Sequence, residues 1–449
     1  MARDTLRLAQ ITDLHLRWHQ PGTSPSFKRR SRLMPELLAE AIEQIKTLDV
    51  DLLALTGDVL DVPDYVIAND EWIAHDRAQW LAEAEQDYAM IRGLLDASGL
   101  TYRVLPGNHD NQPAMARVFG DQSRVLDVAG HRVVCFWDRE GEYHVPRRLG
   151  RERMLMEQEL RQPGPQVHLQ HYLLAPDMPD AGWPYNYLEA AHLRRTVVAS
   201  GRVRFCLAGH YHDGTELLRE ADTWFGVGPA FSVRPYPFRV YTIGADGVSQ
   251  ETHTLRDGAY EAGRPAVFLD RDGVLNTAPS YRSGPEDLEL VPGVGAALRS
   301  LAEAGYVLVA VSSQSAIGQG YVTNYNVNAV FDELARGLWR DGVALSAARY
   351  TACAGDLAVH PQWAGHHRAK PAPDLLLETA RELDLDLSRS WMVGDNQGDL
   401  EAGLNAGVRP LLVRTGHGQQ TAARLPGLAH LADTPVVDDI AAAARYILH

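Results

Sequence analysis

Cysteine is scarce in this sequence: Cys135, Cys206 and Cys353 are the three in 449 residues. They are odd in number and far apart, so no disulfide framework is implied, and a reducing cytosol suits them. No run approaches about 18 consecutive apolar residues, so no membrane span is expected. The opening MARDTLRLAQITDLHL has no charged stretch followed by an apolar one. No leader is therefore expected, and the location expected is cytoplasmic. Positive charge is also short, with 43 Lys and Arg against 58 Asp and Glu, a formal charge of −15. That balance argues against a non-specific grip on nucleic acid or on an anionic membrane. Repeats and low-complexity tracts are missing too.

What remains is a globular composition long enough for two cores. In the first half, short apolar runs at 6–12, 51–56 and 101–105 alternate with helical spacing at 33–48 and 77–97. Further strand-like runs at 131–137, 166–171, 203–208, 224–228 and 238–243 are separated by Gly, Pro and Asp turns. This predicts a sheet sandwich flanked by helices. A second series starts at Ala266 and continues at 306–312, 348–352, 391–393 and 410–413. Helices at 293–304, 326–340, 373–383 and 398–406 intervene, the layout of a doubly wound parallel sheet. The expected boundaries are a first domain over 1–251, a polar, Gly-rich linker over 252–264 and a second domain over 265–449.

Metal-type residues stand where the strands of the first half end. They are Asp13 and His15, then Asp58, then Asn108 and His109, then His171, then His210 and His212. Strand alternation is expected to send Asp13 and His15 to one side. Carboxylate and imidazole donors gathered at one sheet edge suit two divalent metals sharing a carboxylate. The assignment is Asp13, His15, Asp58 and His212 to one metal, and Asp58, Asn108, His171 and His210 to the other, with Asp58 bridging. His109 fits better as the acid or charge stabiliser at the leaving oxygen, oriented by Asp110. His168 is read as structural, and His75, His131 and His144 have no motif context. In this order, over roughly residues 5–245, the blocks resemble the calcineurin-like metallophosphoesterase superfamily. The segments Gln10-Ile11-Thr12-Asp13-Leu14-His15 and Phe238-Arg239-Val240-Tyr241-Thr242-Ile243 resemble the branch with class III cyclic-nucleotide phosphodiesterases and glycerophosphodiesterases. The resemblance implies a four-layer α/β/β/α sandwich, Mn, Fe or Zn as metals, and a phosphodiester or cyclic-nucleotide substrate.

The second half carries a different chemistry. Asp270 and Asp272 close a buried strand two residues apart. Asp270 is the candidate nucleophile forming an aspartyl-phosphate, and Asp272 the acid and base. Ser312 would hold phosphoryl oxygens, and Lys370 would set a positive charge against the nucleophile. Asp395, with Asp270 and the Asp272 carbonyl, makes an oxygen-only magnesium site, with Asp399 in support. These blocks resemble haloacid dehalogenase (HAD) phosphatases over about 265–449. FLDRDGVLN, Tyr281, Pro285-Glu286-Asp287, Pro292-Gly293-Val294 and Ser313-Gln314-Ser315 resemble the heptose bisphosphate phosphatase and histidinol-phosphatase group. That implies no large cap and small phosphorylated substrates such as sugar phosphates. Those relatives have a cysteine zinc loop before the lysine. Here Cys353, His360, His366 and His367 stand in that region, read as a solvated loop or a substitute zinc site.

The cluster Phe27-Lys28-Arg29-Arg30-Ser31-Arg32 reads either as a phosphate or nucleic-acid contact or as a solvated helix start, and the second is favoured. Trp72, Trp80 and Trp183 are read as core and pocket wall. The expectation is a bifunctional phosphohydrolase, a two-metal phosphodiesterase joined to a phosphomonoesterase. Its rivals are a nucleic-acid end-processing enzyme, and a first-half enzyme with a metabolite-binding regulatory module.

Overall fold

In a computed structural model, residues 5–24, 29–69, 76–178, 183–255, 263–277, 284–364 and 368–449 are described. The chain divides into two compact units, with the change at about Asp257.

In the first unit, the apolar runs Leu6–Ile11, Leu52–Thr56 and Tyr102–Leu105 pair in parallel. The hairpin of Pro237–Gly244 and Gly247–Thr254 extends that sheet antiparallel beside Leu6–Ile11. A second sheet has six strands in the order Leu218–Glu220, Thr223–Val227, Val203–Ala208, Gln166–Leu169, His131–Cys135 and Val125–Val128. Strand alternation builds the core between the sheets. Leu6, Leu8, Leu52, Ala54 and Tyr241 of one meet Val133, Val167, Leu169, Phe205 and Leu207 of the other. The far face of the second sheet, with Val134, Cys206 and Phe225, packs on Met156, Leu193 and Val197 of the helices Gly150–Glu159 and Ala190–Ala199. Helices Met34–Lys46 and Arg77–Ser98 bury stripes at helical spacing, Leu38, Ala41, Ile42 and Ile45 in one and Tyr88, Ile91 and Leu95 in the other. The result is the four-layer sandwich.

The strand Gly247–Thr254 runs three residues into the stretch read as linker. Only Val248 in it is buried, so an edge strand with polar side chains looked like connecting chain. Its register comes from the ladder to Pro237–Gly244, which composition does not report. Residues 256–262 of that stretch lie outside the described ones.

In the second unit, six strands run parallel in the order Ala347–Thr351, Val307–Ser313, Ala266–Leu269, Trp391–Gly394, Arg409–Val413 and Val436–Val437. Val267 and Leu269 face helices Val294–Glu303, Asn324–Arg340 and Ile440–Leu448. Ala266 and Phe268 face Leu375, Leu376 and Leu383 of Asp374–Leu383. Helices on both faces make the sheet doubly wound, and its carboxyl edge is the place for ligands. No cap domain interrupts the described residues. The two-residue strand Val436–Val437 is too short to leave a periodic signal.

Candidate active sites

In the first unit, the turns beyond the strands aim the functional side chains. Asp13, His15, Asp58 and His210 all have positive φ, at 54°, 46°, 48° and 69°. Leu6–Ile11 ends before Asp13, so left-handed turns orient Asp13 and His15, where strand alternation was expected to do so. Such backbone costs about 1 kcal/mol or more per residue and persists where surroundings enforce it. Here Asp13 N–H donates to the Gly57 carbonyl at 3.1 Å and His15 N–H to the Asp58 carbonyl at 2.8 Å.

Asp13, His15 and His212 bring ligand atoms within 4.8 Å of one another, and so do Asp58, His171 and His210. Asp58 Oδ2 stands between the sets, 3.6 Å from His15 Nε2 and 3.5 Å from His171 Nε2. Asn108 Oδ1 is 3.3 Å from His171 Nε2, and the Nε2 atoms of His15 and His212 face each other at 3.3 Å. Asp13 Oδ1 and His210 Nε2 are buried without a hydrogen-bond partner. Orphaned groups of this kind cost about 1–3 kcal/mol each. Divalent cations would satisfy them, and the imidazole and carboxylate donors fit the metals expected. A Cβ on Gly107 would collide with Asp58 Oδ1 and His171 Nε2, so the turn needs glycine. Burial pushes the His171 imidazole down, but Asp58 and Asp13 outweigh it and raise it to about 9. Burial, with His171 beside it, lowers His210 to about 3. A bound cation would displace the His171 proton.

His109 lies at the edge of this cluster, its ring 4.8 Å from that of His15. The group that orients it is Asp61, which sequence reasoning missed. Asp61 Oδ1 is 3.2 Å from His109 Nδ1 and 3.4 Å from His15 Nδ1. Asp110, expected in that role, is a loop organiser. It accepts N–H groups of Val59, Leu60 and Gly107 at 2.8–3.0 Å and the Tyr88 hydroxyl at 2.7 Å. Burial and nearby Asp58 raise it to about 6. The spacing Asp58-x-x-Asp61 was the available signal. Arg29 is no solvated helix start: its Nη1 is 2.9 Å from Asp61 Oδ1. Arg32 Nη1 donates to the Gln20 carbonyl at 2.8 Å. Phe27, Lys28, Trp72 and His75 lie outside the described residues. His168 is buried, 3.1 Å from Gln166 Oε1 and edge-on to Phe136.

In the second unit, Lys370 Nζ is 2.7 Å from Asp270 Oδ1 and 2.5 Å from Asp399 Oδ1. Burial and Asp399 push Asp270 up to about 7, against the pull of Lys370. Lys370 reaches the site from the loop ahead of Asp374–Leu383, so it does not end a strand as the other blocks do. Asp270, Asp395 and Asp399 offer oxygens within 4.8 Å of one another, which fits magnesium. Asp399 also accepts the N–H groups of Asp395 and Asn396 at 3.2 and 3.1 Å. A Cβ on Gly273, at φ 83°, would collide with Asp395 Oδ2, so the turn carrying the Asp272 carbonyl lies against that carboxylate. The Asp272 side chain is gripped by Arg271, at 3.0 Å from Nε and 2.7 Å from Nη2. Gln314 Nε2 links Asp272 Oδ2 at 3.1 Å to Ser312 Oγ at 2.8 Å. Neither Arg271 nor Gln314 shows these contacts in its motif, because both depend on how the chain folds at the strand ends. Cys353 is buried and His360 exposed, and they share no metal-ligating cluster among the described residues. His366, His367 and Tyr281 lie outside those residues.

A calcineurin-like phosphoesterase family model matches residues 6–214, and a HAD-hydrolase-like model matches 367–443. D-glycero-D-manno-heptose-1,7-bisphosphate 7-phosphatase of Thermosynechococcus vestitus is 38% identical over 41% of this chain and 95% of its own length. The chain belongs to the HAD-hydrolase-like family through its second unit, and its first unit matches the calcineurin-like phosphoesterase model. A D-glycero-beta-D-manno-heptose-1,7-bisphosphate 7-phosphatase of Haemophilus ducreyi is 36% identical over 34% of this chain and 85% of its own. A crystal structure of D,D-heptose 1,7-bisphosphate phosphatase from B. bronchiseptica, complexed with magnesium and phosphate, is 32% identical. It covers 41% of this chain and 98% of its own, with a TM-score of 0.37. The chain is thus a phosphohydrolase in which a calcineurin-like unit precedes a HAD-like unit, and both families depend on divalent metals. No described helix is long and apolar enough to cross a membrane.

Proposed function

We propose that the chain is a bifunctional phosphohydrolase. The first unit acts as a two-metal phosphodiesterase and the second as a magnesium-dependent phosphomonoesterase of a small phosphorylated metabolite. The observation that carries this reading is the pair of buried ligand atoms without a hydrogen bond, Asp13 Oδ1 and His210 Nε2, in one unit, set against the Lys370 bridge between Asp270 and Asp399 in the other.

In the first unit, Asp13, His15 and His212 would hold one cation and Asn108, His171 and His210 the other, with Asp58 between. Bound there, the cations would supply Lewis acidity and an activated water. His109, held by Asp61 through Nδ1, presents Nε2 toward the leaving oxygen. In the second unit, an Asp270 oxygen bonds to phosphorus as the ester P–O bond breaks. Asp272 gives its proton to the leaving oxygen, then takes one from the water that releases phosphate and frees Asp270. Asp395, Asp270 and the Asp272 carbonyl would hold magnesium, which offsets phosphoryl charge. Lys370 and Ser312 bind the phosphoryl oxygens. Because Arg271 grips Asp272 in the resting arrangement, proton transfer requires that pair to open. The relatives' names make a sugar bisphosphate the first substrate to try on this unit. Three free, buried cysteines suit a reducing cytoplasm, with Cys135 and Cys206 pushed up to about 12 by burial.

The test uses a generic diester and a generic monoester on the full chain. Mg²⁺ alone should support the monoesterase, and the diesterase should need Mn²⁺ or a similar ion. Mg²⁺-only diesterase activity that vanishes in Asp270→Asn and survives in Asp58→Asn would overturn the division of labour.

A further inference from the structure

Arg29 borders the first site, and the metal and leaving-group chemistry proposed above leaves it without a task. Its Nη1 lies 2.9 Å from Asp61 Oδ1, its Nη2 lies 3.4 Å from His109 Nε2, and its side chain is 12% exposed. A simple tether of the loop to Asp61 would account for the first contact alone. Asp61, however, already has a cation. Arg17 Nη2 is 3.1 Å from Asp61 Oδ2, and Arg17 Nε donates to the Asp61 carbonyl at 2.7 Å. Arg29 is therefore a second guanidinium on a carboxylate that one guanidinium already neutralises. Its Nε is buried with no hydrogen-bond partner. Nε and Nη2 form one edge of the guanidinium fork, the edge that grips two oxygens side by side. That edge offers donors only, and it stands within hydrogen-bond distance of the imidazole that meets the leaving oxygen.

We infer that Arg29 binds the phosphoryl group of the first unit's substrate, donating from Nε and Nη2 to its oxygens while Nη1 stays on Asp61. No bond is made or broken by Arg29; it places the phosphorus against His109 and stabilises negative charge on the phosphoryl oxygens as the ester bond breaks. This rests on the two-metal reading above.

The test compares wild type, Arg29→Ala and Arg29→Lys as full chains loaded with Mn²⁺. Titration calorimetry with inorganic phosphate should resolve two sites in wild type, one per unit. Arg29→Ala should weaken one of them at least about tenfold and leave the other unchanged. On bis(4-nitrophenyl) phosphate its kcat/KM should fall about a hundredfold, with bound metal unchanged and partial rescue by added guanidinium. Arg29→Lys keeps the charge and loses the fork, so it should fall between the two. Unchanged phosphate titrations would overturn the inference, as would loss of Mn²⁺ in proportion to loss of activity. If Arg29→Ala fails to fold, Arg29→Lys with wild-type phosphate affinity and kcat/KM overturns it as well. Asp58→Asn in the same assay keeps the two questions apart. Full diesterase activity in Asp58→Asn sinks the two-metal reading itself. An inactive Asp58→Asn beside a wild-type-like Arg29→Ala sinks only the role of Arg29.

Discussion

The two units bring buried carboxylates to a sheet edge and stabilise them in opposite ways. In the second, a protein cation does most of it: Lys370 spans Asp270 and Asp399 at 2.7 and 2.5 Å. In the first, Asp13 and Asp58 face imidazoles at 3.5–3.6 Å, and Asp13 Oδ1 and His210 Nε2 make no hydrogen bond. The HAD-like site is thus preorganised before any ion arrives, while the calcineurin-like site is left incomplete without ions. A lysine leaves room for one exchangeable cation among oxygens. A ring of histidines demands cations that take nitrogen as well.

The largest effects should come from the residues at the centre of each arrangement. Asp270→Asn removes the nucleophile with almost no change of shape and should lower monoesterase turnover by about 10³-fold or more, with the diesterase intact. Asp58→Asn should do the reverse, losing the diesterase along with bound metal. Parallel assays of both activities in both variants check this, and a variant that loses both activities would mean that the units are not independent.

Chelation sharpens the contrast through stability. Ligands that bind only the folded state stabilise it by about 2.7 kcal/mol at a hundredfold excess over Kd. Adding Mn²⁺ to the stripped chain should raise the unfolding transition of the first unit by several degrees. Mg²⁺ should move that of the second unit less, because Lys370 already sits against two of its carboxylates, Asp270 and Asp399. Calorimetry checks both, and equal shifts would contradict the preorganisation argument.

Asp61→Asn comes next in size. It should lower diesterase kcat/KM about 10–100-fold, by more than it lowers bound metal, since Asp61 holds His109 at 3.2 Å and His15 at 3.4 Å. Metal analysis beside kinetics separates this from ligand loss, and an unchanged rate would return His109 to a site without an orienting partner.

The units also differ in how much of them the sequence reveals. The residues at or just beyond strand ends, Asp13, Asp58, Asp270 and Asp395, were legible because each follows a buried apolar run closely. Asp61 and Arg29 were not, because the contact of each with His109 spans many residues and depends on turns at positive φ and on loop paths. Lys370 and Gln314 sit in readable motifs, yet the hydrogen bonds of Gln314 to Asp272 and Ser312 come from the return of one strand beside another. The buried pair of Arg148 and Asp138, at 2.8 Å under Phe136 and Tyr187, left no pattern at all. Packing decides such pairs, and polar residues in a loop look the same whether they end in solvent or in a core.

The smallest effect concerns a histidine outside either site. Burial, reinforced by the charge of Arg148, lowers His168 from an ordinary value of 6.5 to about 3. The folded state keeps it neutral while the unfolded chain protonates it. Its contribution to stability is therefore fully present above pH 6.5 and is lost as pH falls toward 3. Between pH 7 and pH 5 the loss amounts to about 2 kcal/mol. His168→Leu gives up the hydrogen bond to Gln166, so it should be less stable at pH 7. It should also lose less stability than wild type between pH 7 and pH 5. Denaturant melts of Mn²⁺-loaded wild type and variant at the two pH values measure the difference, with ions holding the site histidines in one state. The second unit, with no buried neutral histidine among its described residues, should show no such acid loss. Parallel pH dependence in wild type and His168→Leu would place the acid sensitivity of the first unit elsewhere.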